Sequence, residues 1–380
     1  MIHDHLIRVT NLPFPMDHQS DQRLAGLSAW VHQQLAHLQL YQGPSLPLET
    51  VSGDASFRRY FRCRYPQAGA AGSAICVDAP PDKENNPVFI KVDQGFAAAG
   101  VPVPRILAAD TEQGFMLLSD LGDTLLKQVL NTDTCEHFVA EAFRVLLEIM
   151  AADFHGDPLP PYDEALLQRE MALFRDWFCD TFLQLALTGA EQGMLTAVFD
   201  YLAATALAQE QVPVHRDYHT RNLMVLPDRT LGVIDFQDAV LGPITYDVLS
   251  LLRDETFPAW DQQRVRQWVR QFGDALREKG LTQVDEQRLW RDFNAMGAQR
   301  HLKVAGIFAR LRFRDQKLGY LEHTPQSLQY LLMEIRALQA DGPNCLRQFD
   351  HWLLARVAPA LARHFPRTQE LLEQVAEARH

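Results

Sequence analysis

The spacing of apolar residues changes character about a third of the way along the chain. Leu24, Leu27, Trp30, Val31 and Leu35 recur at helical intervals, so 21–37 reads as an amphipathic helix. In 57–65 the period drops to two: Phe57, Phe61, Cys63 and Tyr65 share one parity, interrupted by Arg59, and Arg58, Arg62 and Arg64 share the other. That alternation predicts a half-buried strand. A turn at Gly69–Gly72 leads to an antiparallel partner over 73–78, then a loop at 80–87, a short helix at 88–99 and a strand within 114–122.

From about residue 123 helical periodicity dominates. It covers 135–154, 164–188, 191–208, 260–279, 285–312, 325–340 and 345–363. One β section interrupts it: LMVL (223–226), the turn PDRT, and LGVI (231–234). A β-rich first third followed by a helical remainder predicts an α+β fold with segregated lobes, 1–121 and 122–380, and a boundary near 119–124, where LSDLGDT (118–124) forms the hinge. There is no internal repeat and no low-complexity linker.

The densest chemistry lies in 215–254. Asp217 and Asn222 are five residues apart, and Asp235 follows thirteen later at the end of LGVI. The hairpin between them returns the chain to its start, so both ends meet. An Asn carbonyl and an Asp carboxylate are hard oxygen ligands, suited to Mg²⁺ when phosphate oxygens complete the shell. Asp217, in the loop after PVH, is the candidate base that accepts a hydroxyl proton. His215 and Asp247 are expected to support this loop from behind. His219 is expected to be a packed histidine, and Asp238 either orients the metal site or caps a turn.

These residues, with I-D-F and G-P-x-x-Y-D following, resemble the aminoglycoside phosphotransferase and choline kinase group of protein-kinase-like enzymes over most of the chain. The resemblance implies a bilobal kinase-like fold, Mg²⁺ and ATP as cofactors, and an adenine contact through backbone atoms of Ser119, Asp120 and Leu121. A narrower likeness runs through SGDASFRRYFR (52–62), DAPP (78–81), YDEALLQREMALFRDWF (162–178), VHRDYHTRNLMVL (214–226) and QRHLKVAGIFARL (299–311). These segments are similar to the bacterial cell-wall amino-sugar anomeric kinases. That group phosphorylates N-acetylmuramate and N-acetylglucosamine at C1, in peptidoglycan recycling.

The first lobe departs from the broader kinase pattern. SGDASFRRY has one glycine where protein kinases have three, although Gly53, Asp54, Ala55 and Ser56 still offer backbone N–H groups to phosphates. The strand 73–78 ends in Asp78 where a phosphate-gripping lysine is expected. Lys83, Lys91 or an arginine of 58–64 are the available substitutes. For the acceptor, two segments stand out. One is 162–178, with Glu170 and Asp176. The other is 299–317, where Arg300 and Arg310 lie in a basic run that suits an anionic acceptor, or else an exposed face paired with acidic residues.

Composition narrows the classes. The 380 residues are 47% hydrophobic and carry a net charge of −12, which argues against a nucleic-acid surface but not against a local phosphate site. The five cysteines are scattered and contain no C-x-x-C, so a reducing compartment is expected. No run reaches the ~18 apolar residues of a membrane span, and MIHDHLIRVTNLPFP lacks the apolar core of a signal peptide. The expectation is a cytoplasmic small-molecule kinase acting on an amino sugar and ATP, with no evident obligate protein partner. The rivals are an aminoglycoside or choline-type kinase, and a weakly active nucleotide-binding regulator.

Overall fold

The structure is a computed structural model, and it describes residues 18–52, 57–67, 70–154 and 156–377. The chain divides into two compact units. Met1–Lys91 with Pro104–Asp120 forms the first, and Val92–Val103 with Leu121–His380 the second. The interval Val92–Val103 therefore groups with the C-terminal residues, although a linear split near 121 assigns it to the first lobe.

The first unit is built on a five-stranded antiparallel sheet. Its strands are β1 (Leu48–Ser52), β2 (Arg59–Gln67), β3 (Ala70–Asp78), β4 (Ile106–Asp110) and β5 (Phe115–Ser119), in the order β1-β2-β3-β5-β4. Helix α1 (His18–His37) lays Leu27, Trp30, Val31 and Leu35 against Phe61, Cys63, Tyr65, Ala74, Cys76, Phe115 and Leu117. The alternation of β2 thus has its apolar parity on the α1 side. Phe57 falls outside the strand and is 65% exposed.

At the end of β3, Asp78 is fully buried. Arg23 Nε and Nη2 reach its Oδ1 at 2.9 and 2.5 Å, and Arg59 Nε reaches Oδ2 at 2.9 Å. The same Arg23 donates to the Gln113 carbonyl at 2.8 Å. A desolvated carboxylate persists only with such partners. The residue that replaces the expected lysine is therefore a structural anion. Helix α2 (Asn86–Ala98) starts in this unit, with Asn86 Nδ2 donating to the Ala79 carbonyl at 2.8 Å, and its last residues belong to the second.

The second unit is helical. It comprises α3 (Leu126–Val129), α4 (Cys135–Met150), α5 (Glu164–Leu173), α6 (Gly189–Leu207), α7 (Tyr246–Leu252), α8 (Gln262–Glu278), α9 (Glu286–Phe313), α10 (Thr324–Leu338), α11 (Asn344–Trp352), α12 (Ala358–Ala362) and α13 (Arg367–Glu377). The stretch predicted as one helix over 164–188 is α5 followed by a π-helical turn, Phe174–Phe182. Gly306 of α9 sits against this junction: a Cβ there would lie 2.3 Å from the Leu173 carbonyl carbon. Two antiparallel ribbons frame the loop that carries the candidate chemistry. β6 (Gln211–Val214) pairs with β9 (Val240–Pro243), and β7 (Leu223–Val225) pairs with β8 (Leu231–Val233). Among the described residues, no helix is long and apolar enough to cross a membrane.

Candidate active site

The loop His215–Asn222 leaves β6 and enters β7, and Asp235 lies just past β8. The β7–β8 register, Leu223 opposite Val233, puts the two ends side by side. The Ile234 amide donates to the Asn222 carbonyl at 3.1 Å, extending the ladder by one rung. As a result Asn222 Nδ2 reaches Asp235 Oδ2 at 3.3 Å, and the same Nδ2 donates to the Asp217 carbonyl at 3.0 Å. Gly232 in β8 lies close to Leu121: a Cβ there would meet Leu121 Cδ1 at 2.8 Å, and the leucine tip would have to shift.

Two backbone positions carry strain. Arg216 (φ 75°) and Asp235 (φ 65°) are left-handed residues with full side chains. Arg216 is held in this conformation from both ends. Asp247, in the first turn of α7, accepts the backbone N–H groups of His215 (2.7 Å) and Arg216 (3.0 Å). Glu170 of α5 accepts from Arg216 Nη2 at 2.6 Å. Asp247 is fully buried, and burial pushes its carboxyl up to about 6 despite those donors. His215, also fully buried, sets Nε2 3.0 Å from the Ile234 carbonyl, while its Nδ1 lies 3.3 Å from the Asp217 amide. The histidine thereby ties the loop to β8.

Asp217 is half-buried beside several cations. Burial alone raises a carboxylate's pKa. Here it is outweighed by Lys303 first, with Arg216 among the further contributors, so the Asp217 carboxyl sits below its ordinary range. Lys303, on α9, donates to the Tyr246 hydroxyl at 3.0 Å and lies 3.2 Å from Glu170 Oε1. Glu170 also accepts from the Tyr162 hydroxyl, and Gln299 Nε2 donates to that hydroxyl at 3.1 Å. Glu170 is 6% exposed and stays ionised: burial pushes it up, but Lys303, Arg216 and Tyr162 more than offset this. Its carboxylate is occupied by the cations that flank Asp217. The structure therefore gives it a positioning geometry, where the sequence suggested contact with an acceptor.

The other sequence candidates distribute unevenly. Asp238 lies close enough to share the field. Desolvation pushes its carboxyl up, Arg216 opposes this, and the charges of Asp217 and Asp235 add to it. Asp176 pairs with its neighbour Arg175 at 2.7 Å. Arg300 is 4% exposed and bound to Glu255. Arg310 Nε is buried with no hydrogen-bond partner among the described residues. Gly53, Asp54, Ala55 and Ser56 lie outside the described residues. Ser119 ends β5, with its Oγ accepting from the Arg105 amide at 2.8 Å, and Asp120 takes Arg62 at 2.7 and 3.0 Å. Arg58 pairs with Glu84 at 3.2 Å and Lys83 with Asp82 at 3.5 Å.

Sequence reading missed Tyr162, Arg216, Gln299 and Tyr246, and offered Lys303 only as part of the basic run 299–317. The available signal was a run of polar residues in the middle of a 28-residue helix. Asn294, Gln299, Arg300, His301 and Lys303 are all buried in α9, where a packed helix ordinarily carries apolar side chains. Asp254, which accepts from Thr220 Oγ1 at 3.1 Å and thereby braces the loop from beyond α7, left no local pattern.

Comparison with known proteins adds three findings. Residues 47–286 match the phosphotransferase enzyme family (APH). An N-acetylmuramate/N-acetylglucosamine kinase of Pseudomonas putida is 41% identical over 318 residues, covering 82% of this chain and 92% of that protein. One of the same name from Neisseria meningitidis is 39% identical over 315 residues, with 82% and 90% covered. Among solved structures, an ethanolamine kinase of Plasmodium vivax superposes with a TM-score of 0.57 at 9% identity, covering 89% of this chain and 98% of its own. A choline/ethanolamine kinase family protein of Mesorhizobium loti gives 0.55 at 12%, covering 86% and 99%. The α+β arrangement is thus shared with kinases of very different sequence, and on the match across 47–286 the chain belongs to the phosphotransferase enzyme family.

Proposed function

We propose that this protein transfers the γ-phosphoryl group of ATP to the anomeric C1 hydroxyl of N-acetylmuramate and N-acetylglucosamine. The amino-sugar specificity is supported by the names of the relatives that are 39–41% identical over most of the chain. The phosphoryl-transfer chemistry is supported by one observation above all: a carboxylate kept ionised at Asp217, on a loop whose far end brings Asn222 and Asp235 within 3.3 Å of each other.

The residues fit a magnesium ion. Asn222 Oδ1 and the Asp235 carboxylate are the hard oxygen donors that would hold it, on side chains that touch through Asn222 Nδ2 at 3.3 Å, and no described group of three or more His, Cys, Asp or Glu forms a closed cage. An ion held here would take its remaining ligands from phosphate oxygens and water, as Mg²⁺ prefers. When bound, Mg²⁺ neutralises charge on the transferring phosphate.

The chain's own residues do the rest. Asp217 orients the acceptor hydroxyl and takes its proton as the oxygen bonds to the γ-phosphorus and ADP leaves. An anomeric hydroxyl is more acidic than other sugar hydroxyls, so a carboxylate held in the ionised form suffices as base. Glu170 holds Arg216 and Lys303 at fixed positions around that carboxylate. Asp247 and His215 hold the loop's strained backbone in place. The deciding experiment is phosphorus NMR of the product formed from N-acetylmuramate and Mg-ATP, with Asp217→Asn as control. A sugar 1-phosphate from wild type alone supports the reading, and phosphate on another carbon, or activity confined to kanamycin or choline, overturns it.

A further inference from the structure

Three nitrogens of the catalytic loop are buried without hydrogen-bond partners among the described residues, Nε of Arg216, Nδ1 of His219 and Nε of Arg221, and the last two belong to side chains in contact. His219 is 8% exposed and lies two residues past the base, its amide donating to the Asp217 carbonyl at 3.0 Å. Arg221 Nη2 sits 3.4 Å from His219 Nε2. A guanidinium can only donate, so Nε2 is the acceptor and the ring proton is on Nδ1. Both of these orphan atoms are therefore N–H donors. An unpaired buried donor disfavours the fold, and a ligand oxygen that pairs with it removes that cost.

The charges around these donors indicate which oxygen. Asp254 is committed to Thr220 and Thr256, and Arg300 is committed to Glu255. Lys127 adjoins the loop, its amide donating to the Thr220 carbonyl at 3.0 Å. The Arg221 guanidinium itself brings a positive charge to the orphan donors, and the nearby carboxylate of Asp254 already holds Thr220 and Thr256. A cation with an open donor draws an anion.

We propose that His219 Nδ1 and Arg221 Nε form a subsite for a carboxylate on the acceptor sugar. This rests on the amino-sugar kinase reading and deepens it. Of the two acceptors, only N-acetylmuramate carries a carboxylate, so this pair reads the difference between them. His219 then has a ligand-facing donor in addition to the packing expected of it.

The test compares kcat/KM of the full-length protein for N-acetylmuramate, its methyl ester and N-acetylglucosamine. Losing a hydrogen bond to a charged group lowers the constant by about 10–100-fold. Esterification should cost wild type that factor. In Arg221→Gln the N-acetylmuramate to N-acetylglucosamine ratio should fall by a similar factor, and the penalty for esterification should largely vanish. Arg221→Lys, which keeps the charge, should recover part of the ratio, and His219→Phe should lower it. A general packing role would depress both sugars alike and leave the ratio unmoved, which overturns the subsite. If Arg221→Gln does not fold, wild type with the ester and Arg221→Lys still decide: indifference to esterification sinks the proposal. Wild type inactive on both sugars overturns the parent reading too, whereas activity on both with an unmoved ratio overturns this inference alone.

Discussion

Lys303 Nζ lies 3.2 Å from Glu170 Oε1, the same oxygen that receives Arg216 Nη2 at 2.6 Å. One buried carboxylate thus carries two cations, and both lower the pKa of Asp217, Lys303 being the larger influence. Burial acts on Asp217 in the opposite sense. Lys303→Met should therefore raise the Asp217 pKa, because it removes an opposing charge and leaves burial in place. A base must be ionised to act, so the acid limb of the kcat/KM profile should move to higher pH. An acid limb at its wild-type position would show that Lys303 does not govern the base.

Asp217→Asn keeps the loop's shape but removes the proposed proton acceptor. The expected fall in kcat is about 10²–10⁴-fold, with ATP binding retained. Steady-state kinetics together with nucleotide titration check this, and a variant within tenfold of wild type would exclude Asp217 as the base.

Asn222→Ala removes one oxygen donor and also the Nδ2 contacts to the Asp217 carbonyl and Asp235. The Mg²⁺ concentration for half-maximal activity should rise by about 10–100-fold, and saturating Mg²⁺ should restore part of the rate. An unchanged Mg²⁺ titration would place the ion elsewhere.

Asp93 offers a stability test away from the site. It is 3% exposed, one carboxylate oxygen has no partner among the described residues, and burial pushes its pKa to about 7. The folded state therefore prefers the protonated form. Its ionisation costs nothing below the unfolded pKa near 4, a penalty that grows between there and about 7 and is complete above. Asp93→Asn should stabilise the protein by about 2–4 kcal/mol at pH 8 and by much less at pH 5. Urea melts at the two pH values measure this, and equal effects at both would contradict it.

Gly306 marks where α9 touches the junction of α5 and the π turn. Gly306→Ala places a methyl 2.3 Å from one backbone carbon and 2.5 Å from the Leu173 carbonyl oxygen. Backbone cannot swing aside as a side chain can, so a loss of about 1–3 kcal/mol is expected. Gly193→Ala, with open space around it inside α6, should instead gain about 0.5–1 kcal/mol. Thermal melts of the pair check both signs.

Local pattern runs out where elements are short or where partners are distant in the chain. The long helices and the β7–β8 hairpin were legible because their periods are strong and their turns are polar. Strands β1 and β4 went unread: LETVS is short and bears a charge, and ILAAD lacks clear alternation. β6 and β9 were hidden by Pro213 and by Gly242–Pro243, residues that ordinarily argue against strands. In the site, Asp217, Asn222 and Asp235 stand out because a loop and a hairpin join them in sequence. The Glu170–Arg216–Lys303 cluster does not, because its members are 46 to 133 residues apart and only the fold unites them. Arg300 illustrates the converse: the sequence presents it as part of a basic run, and the structure buries it against Glu255.

The double clasp on Asp78 bears on where the polypeptide can be shortened. The family match begins at residue 47, so trimming to that boundary deletes α1 and Arg23. Among the described residues, the dry anion would then retain only Arg59, and Phe61, Cys63, Tyr65 and Phe115 would face water. The leading helix is a foundation of the sheet, and a fragment cut at the edge of the match should be recovered as insoluble aggregate.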